Sequence, residues 1–174
     1  NVSFLYELHR RLRDQFDGLV TVLVGDGPDR PVLEQKAAED GWENEFILAG
    51  YRTPSEISLL YRTADVFVFP SKTETQGLVT IEAMLSGLPV VAIGEMGTRE
   101  IMNGDNGGFM TQDNLDEFES HVRDLLTDRD LWNQKSAEAF HHGQGWTVGR
   151  SIDLLEQFYS ERVQAFHDGN GQGE

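Results

Sequence analysis

Two glutamates stand eight positions apart in SKTETQGLVTIEAMLSGLPVV, residues 71–91: Glu74 and Glu82. Glu74 belongs to a polar cluster that closes at Gly77 and reads as loop. Glu82 belongs to the apolar stretch behind it, which reads as a helix starting near Leu78. A helix starting there leaves the N–H groups of Gly77, Leu78 and Val79 without intrahelical acceptors, with the positive end of the dipole behind them. Amides so placed bind phosphate. Helical side chains lean toward the N-terminus, so Glu82, about 6 Å along the axis from Leu78, leans back to the same place. A carboxylate repels a diphosphate at contact, but it suits a neutral vicinal diol such as ribose, which offers two O–H donors. Glu74, ahead of the glycine, can address a second polyol beyond the phosphate. Two diols flanking a diphosphate describe a nucleotide sugar. On spacing alone a blander reading stands beside this one, with Glu74 a solvated loop residue and Glu82 a surface charge.

A second glycine-rich turn, VGDGPD at residues 24–29, follows an apolar β-branched run and precedes a helix-prone segment. Gly25 and Gly27 supply the first two glycines of the dinucleotide fingerprint. Arg30 stands in place of the third, and Gly50-Tyr51-Arg52 follows the second strand where a ribose acid belongs. The turn is either a backbone approaching a nucleotide or an ordinary turn of an α/β domain. His141-His142 lacks ligand spacing, so no metal site is expected. Trp42, Trp132 and Trp146 read as packing residues.

The elements that must position these residues follow from periodicity. Residues 2–16 carry apolar side chains at 5, 8, 12 and 16, a helical period. LVTVLVGDGP (19–28) is a buried strand and turn, 31–40 a helix stopped by Gly41, and EFILAG a second strand. TPSE (53–56) is a capping box with proline at the first helical position, and its helix runs to about Ala64. DVFVFP is the third strand, PVVAI the fourth and GGFM a short fifth. Helices are expected at 113–127, 130–141 and 147–166, followed by a disordered tail at 168–174. Continuous apolar strands alternating with helices give an α/β fold, a Rossmann-like parallel sheet with helices on both faces. Ligands of such sheets bind at the carboxyl ends of the strands.

Composition narrows the partners. The chain has 174 residues, no cysteine, and 30 acidic against 14 basic residues for a net charge of −16. Nucleic acid and an anionic membrane surface are thereby disfavoured. Only Lys36, Lys72 and Lys135 are lysines, a composition shared by salt-adapted and ordinary acidic cytosolic proteins. No apolar run reaches the 18 residues that span a bilayer. NVSFLYELHRRLRDQF is amphipathic and charged, unlike a signal peptide, and it starts within a helix without methionine, as a piece of a longer chain would.

The segment 71–91 resembles the E-x7-E signature of retaining GT-B glycosyltransferases of family four. VLVGDGP, FILAGY, YRTADVFVFPS and GTREIMNGDNGGFM match that family's C-terminal domain in order and spacing. Gln76 replaces the usual phenylalanine before Gly77, and TETQG is similar to bacterial diacylglycerol and other lipid glucosyltransferases. The resemblance implies the C-terminal, donor-binding half of a GT-B fold over residues 1–167, with an N-terminal acceptor domain as partner. It implies that Glu74, with the backbone of Gln76 and Gly77, holds the donor sugar and is the catalytic candidate. Leu78, Val79 and Thr80 meet the diphosphate, Glu82 takes the ribose, and Gly25, Gly27, Tyr51 and Arg52 border the base. Glu100 braces the loop. The donor is of UDP-glucose type, no metal or cofactor is needed, and the acceptor is a lipid or glycan. The location is cytoplasmic or peripheral to the inner membrane face, with membrane contact through the N-terminal domain.

The family's diphosphate-neutralising arginine and lysine fall upstream of Asn1. Residues 1–174 alone are therefore expected to bind donor weakly and to transfer nothing. Two other classes compete: an NAD-type oxidoreductase, disfavoured by Arg30, and a non-catalytic α/β interaction domain, which would not need paired glutamates.

Overall fold

A computed structural model describes residues 1–147 and 149. The expected helix at 147–166 and the tail at 168–174 fall almost wholly outside the described residues. Strands and helices alternate in the order α1 (Val2–Leu12), β1 (Thr21–Val24), α2 (Arg30–Asp40), β2 (Phe46–Gly50), α3 (Pro54–Thr63), β3 (Phe67–Phe69), α4 (Leu78–Leu85), β4 (Val90–Ile93), α5 (Met96–Met102), β5 (Gly108–Thr111), α6 (Leu115–Thr127) and α7 (Arg129–Gln144). Local chemistry sets several boundaries. Gly41 ends α2 in the left-handed conformation. At α3 the Glu56 N–H donates to the Thr53 hydroxyl while the Glu56 carboxylate accepts from the Thr53 N–H at 2.8 Å, completing the capping box. Asn114 and Asp128 cap α6 and α7 through their side-chain oxygens.

All strand pairs are parallel. Thr21 of β1 lies opposite Phe46 of β2. Phe67 of β3 lies opposite Val90 of β4, which lies opposite Gly108 of β5. The ladder is in two pieces, β1–β2 and β3–β4–β5, where a single sheet was expected. Side chains rather than ladder bonds join the pieces. Leu8 and Leu12 of α1 pack with Val91, Ile93 and Phe118, while Tyr6 of the same helix packs with Leu33, Trp42 and Phe46.

β4 shows how the period of two builds the centre. Val90 and Ala92 join a cluster with Met84, Ile101 and Ala139. Val91 and Ile93 face the opposite way, toward α1 and α6. Both faces of this strand are therefore covered by helices, and all four residues are buried. Cover over the first pair is thinner: Val20, Val22, Val24 and Ile47 are each 38–48% exposed.

Candidate functional site

β3 ends at Phe69, Pro70 follows it, and the chain then turns through the polar loop into α4 at the carboxyl end of the strand. Gly77 caps α4 with φ +69, and a β-carbon there would come 2.7 Å from Cγ1 of Ile101. Gly97, at the start of α5, is tighter still: a β-carbon would meet the carbonyl carbon of Thr75 at 2.6 Å. The Gly97 N–H donates to the Glu74 carbonyl at 3.0 Å. Two glycines thus let the α5 backbone press against the loop from behind and fix its path.

Within that loop Glu74 folds onto its own backbone. Its Oε1 accepts the N–H groups of Gln76 at 3.0 Å and Gly77 at 2.9 Å. The Gly77 amide is therefore engaged, contrary to the expectation that it is open to an anion. The N–H groups of Leu78 and Val79 have no intrahelical acceptor in the first turn and make no other bond among the described residues. Two amides are thus open at the start of α4 with the helix dipole behind them, an arrangement able to receive an anion.

Thr80 needs correcting. Its N–H donates to the Gly77 carbonyl at 3.0 Å, its side chain is fully buried, and its hydroxyl has no partner. Thr80 and Glu82 are two residues apart, about 200° around the helix, so their side chains face opposite ways. Thr80 packs on the inward face with Ala83 and Met84, and Glu82 is on the exposed one.

Glu82 has a neighbour that sequence reasoning missed. The Tyr61 hydroxyl, from α3, lies 3.2 Å from Glu82 Oε2 and 3.3 Å from the Val79 carbonyl. The phenol's pKa is raised, chiefly by burial and further by the charge of Glu82, so it stays a donor. Glu100 is exposed and makes no side-chain bond among the described residues. Bracing of the loop runs through Gly97 and Ile101 instead. Lys72 is committed to an ion pair with Asp113.

Gly25 and the segment after β2 meet one another. The Gly25 N–H donates to the Gly50 carbonyl at 2.9 Å. Arg30, where a third glycine was sought, fills that space: it donates to Glu34 at 2.7 Å and to the Leu48 carbonyl at 3.1 Å. A pyrophosphate approaching as in a dinucleotide fold would meet this side chain. Gly27 donates its N–H to the Asp26 carboxylate, Tyr51 is 80% exposed, and Arg52 donates to the Tyr51 carbonyl at 3.5 Å. This group and the α4 group share one connector, α3, which starts just after Arg52 and carries Tyr61 to Glu82. Trp42 is buried and Trp132 donates to the Asp65 carbonyl, but Trp146 is 42% exposed.

A parallel α/β domain with helices on both faces of its central strand is the Rossmann-like architecture of GT-B proteins. The family profile described as Glycosyl transferases group 1 matches residues 1–128. Sulfoquinovosyl transferase SQD2 of Arabidopsis thaliana is 34% identical over 128 residues, 71% of this chain and 24% of the relative. Alpha-monoglucosyldiacylglycerol synthase of Acholeplasma laidlawii is 32% identical over 102 residues, 58% of this chain and 25% of the relative. A crystal structure of HepE from Anabaena in complex with UDP-glucose superimposes with a TM-score of 0.73 at 26% identity, covering 89% of this chain and 44% of that one. The chain belongs to the group 1 glycosyl transferases. It spans about a quarter of the length of the curated relatives it matches.

Proposed function

We propose that this chain is the donor-binding half of a retaining glycosyltransferase that takes a UDP-glucose-type donor. The sugar passes to a lipid or glycan acceptor held by an N-terminal domain. The observation that carries the reading is the pair of open amides, Leu78 and Val79, at the start of α4, with Glu74 in the loop before them and Glu82 one turn further along the helix. The diphosphate binds at the amides, where backbone dipoles oppose the charge that grows on it as the glycosidic bond breaks. Glu82 accepts from the ribose diol. Glu74 uses Oε1 to lock Gln76 and Gly77, which leaves Oε2 for a hydroxyl of the donor sugar and makes it the catalytic candidate. Gly25, Gly27, Tyr51 and Arg52 border the base.

The leaving diphosphate needs no metal in this scheme, because dipole and basic side chains supply the countercharge. With Lys72 tied to Asp113, the basic side chains are proposed to come chiefly from the N-terminal domain. Support for the donor comes from the HepE likeness, and support for a lipid acceptor from the Acholeplasma relative and the TETQG segment. The protein acts in the cytoplasm, and membrane contact at its inner face passes through the N-terminal domain. Among the described residues no helix is long and apolar enough to cross a membrane. Arg30 in the fingerprint turn speaks against a dinucleotide oxidoreductase.

Calorimetry of the whole protein with UDP-glucose, UDP-N-acetylglucosamine and GDP-mannose tests the donor. NMR of the product tests the stereochemistry. Preferential binding of a UDP-sugar and an unchanged anomeric configuration support the reading, and no nucleotide-sugar binding or an inverted product overturns it.

A further inference from the structure

Tyr61 has no role in the proposed function, yet among the described residues its hydroxyl is the one donor hydrogen-bonded to the Glu82 side chain. The ring is held from below: it packs edge-on against Phe67 at 5.6 Å, and Phe67 stacks on Phe69 of the same strand. A half-buried phenol anchored in this way has little freedom at its oxygen. That oxygen has one proton and two acceptors, the Glu82 carboxylate at 3.2 Å and the Val79 carbonyl at 3.3 Å. Glu82 itself is exposed on α4 and makes no other side-chain bond among the described residues. Without a partner its three side-chain torsions would be free, and a ligand would have to order them on binding.

We propose that Tyr61 is a positioning residue that sets the specificity of this site for a ribose with both hydroxyls, by holding the Glu82 carboxylate in the orientation that receives them. This rests on the reading that Glu82 binds the ribose. When the Tyr61 proton goes to Glu82, the O–H bond occupies one lone pair of Oε2 and restricts the carboxylate, leaving Oε1 and the remaining lone pair of Oε2 as acceptors for neighbouring hydroxyl donors. The protonated phenol has an O–H to donate, and the carboxylate of Glu82 can only accept, so the two are matched. α3 begins at Pro54, with Thr53 as its cap after Tyr51-Arg52, so the same helix ties the segment expected to border the base to the residue expected to hold the ribose.

The test is a comparison of UDP with 2′,3′-dideoxy-UDP by calorimetry on the whole protein, for the wild type, Tyr61→Phe, Glu82→Gln and the double variant. Tyr61→Phe keeps the ring and its packing, and thermal melting checks the fold. It is expected to weaken UDP about three- to tenfold, the net contribution of one ordinary hydrogen bond, since the bond orients Glu82 and does not itself touch the ligand, and to leave dideoxy-UDP unchanged. In the Glu82→Gln background the same substitution should cost much less. Equal weakening of both nucleotides, or an unchanged UDP affinity, overturns the role of Tyr61. If Glu82→Gln fails to alter the preference for UDP over dideoxy-UDP, the ribose reading itself falls, and the proposal with it.

Discussion

The β3–β4–β5 piece and the β1–β2 piece are built from similar apolar runs, but they are buried differently. Val90 to Ile93 of β4 are at most 1% exposed, with helices against both faces. Val22 and Val24 of β1 are 40% and 44% exposed. The α4 amides, Glu74 and Glu82 stand on the first piece, and Gly25, Tyr51 and Arg52 stand on the second. Under the proposed function, the groups assigned to the diphosphate rest on the deeply buried piece and those assigned to the base rest on the more exposed one. Pre-organisation of dipoles matters most where charge develops, so the buried piece is expected to be the more sensitive to substitution.

Truncation tests the comparison most severely. Phe118 is fully buried beneath β4, and Phe118→Ala is expected to cost about 3–5 kcal/mol of stability. Val22→Thr, on the open face, should stay within about 0.5 kcal/mol. Denaturant unfolding of the two variants reads the difference. Similar losses would show that the β1–β2 face is covered in solution.

The next effect separates two glycines. Gly97→Ala puts a methyl into the Thr75 carbonyl, where only backbone movement can relieve it. It should cost about 1–3 kcal/mol, as overpacking does, and it should also weaken UDP binding by shifting the Glu74 loop. Gly27 has open space around its missing β-carbon and no positive φ, so Gly27→Ala should change stability by less than about 0.5 kcal/mol. Melting curves with and without UDP distinguish these outcomes.

Ligand contacts should follow the same order. Glu82→Gln removes a charged acceptor and is expected to weaken UDP by about 1–3 kcal/mol. Arg52→Ala removes an exposed charge on the open piece and should cost less than about 1 kcal/mol. A reversal in calorimetry would place the dominant contacts on β1–β2.

Much of this arrangement was legible in the residues. The strands appear within a residue or two of their expected places, because apolar runs bounded by glycine and proline leave little choice. The capping box at Thr53 is local chemistry and formed as written. Thr80 was misread although a signal existed: with Ala83 and Met84 it completes an i, i+3, i+4 buried face, which turns it away from Glu82. α5 was not foreseen, since seven residues that include Gly97 have weak helical preference and are held by packing against the loop. The fold-back of Glu74 and the reach of Tyr61 depend on tertiary placement that no periodicity encodes.

The smallest expected effect lies at the seam between the two pieces. His9 of α1 is almost fully buried, with Nδ1 3.0 Å from the Thr21 hydroxyl at the start of β1 and Nε2 without a hydrogen bond. Burial lowers its pKa and the Arg13 charge adds to this, while Glu45, 4.0 Å from Nε2, opposes both. A histidine whose folded pKa lies below its unfolded one favours folding while neutral. Its contribution is complete above about pH 6.5, the unfolded value. It is lost as pH falls from there toward the folded value, because the unfolded chain takes up the proton first. Melting temperature should therefore decline as pH drops below about 6.5, and His9→Asn, although less stable at neutral pH, should show a flatter decline. Because His9 packs against Trp42 and Phe46 on one side and its helix reaches Phe118 through Leu8 and Leu12, protonation loosens the junction rather than either core. Hydrogen exchange at low pH should accordingly rise in β1 and β2 before β4. Simultaneous loss of protection in all three strands would mean that the two pieces unfold as one, and that their difference in burial carries no difference in local stability.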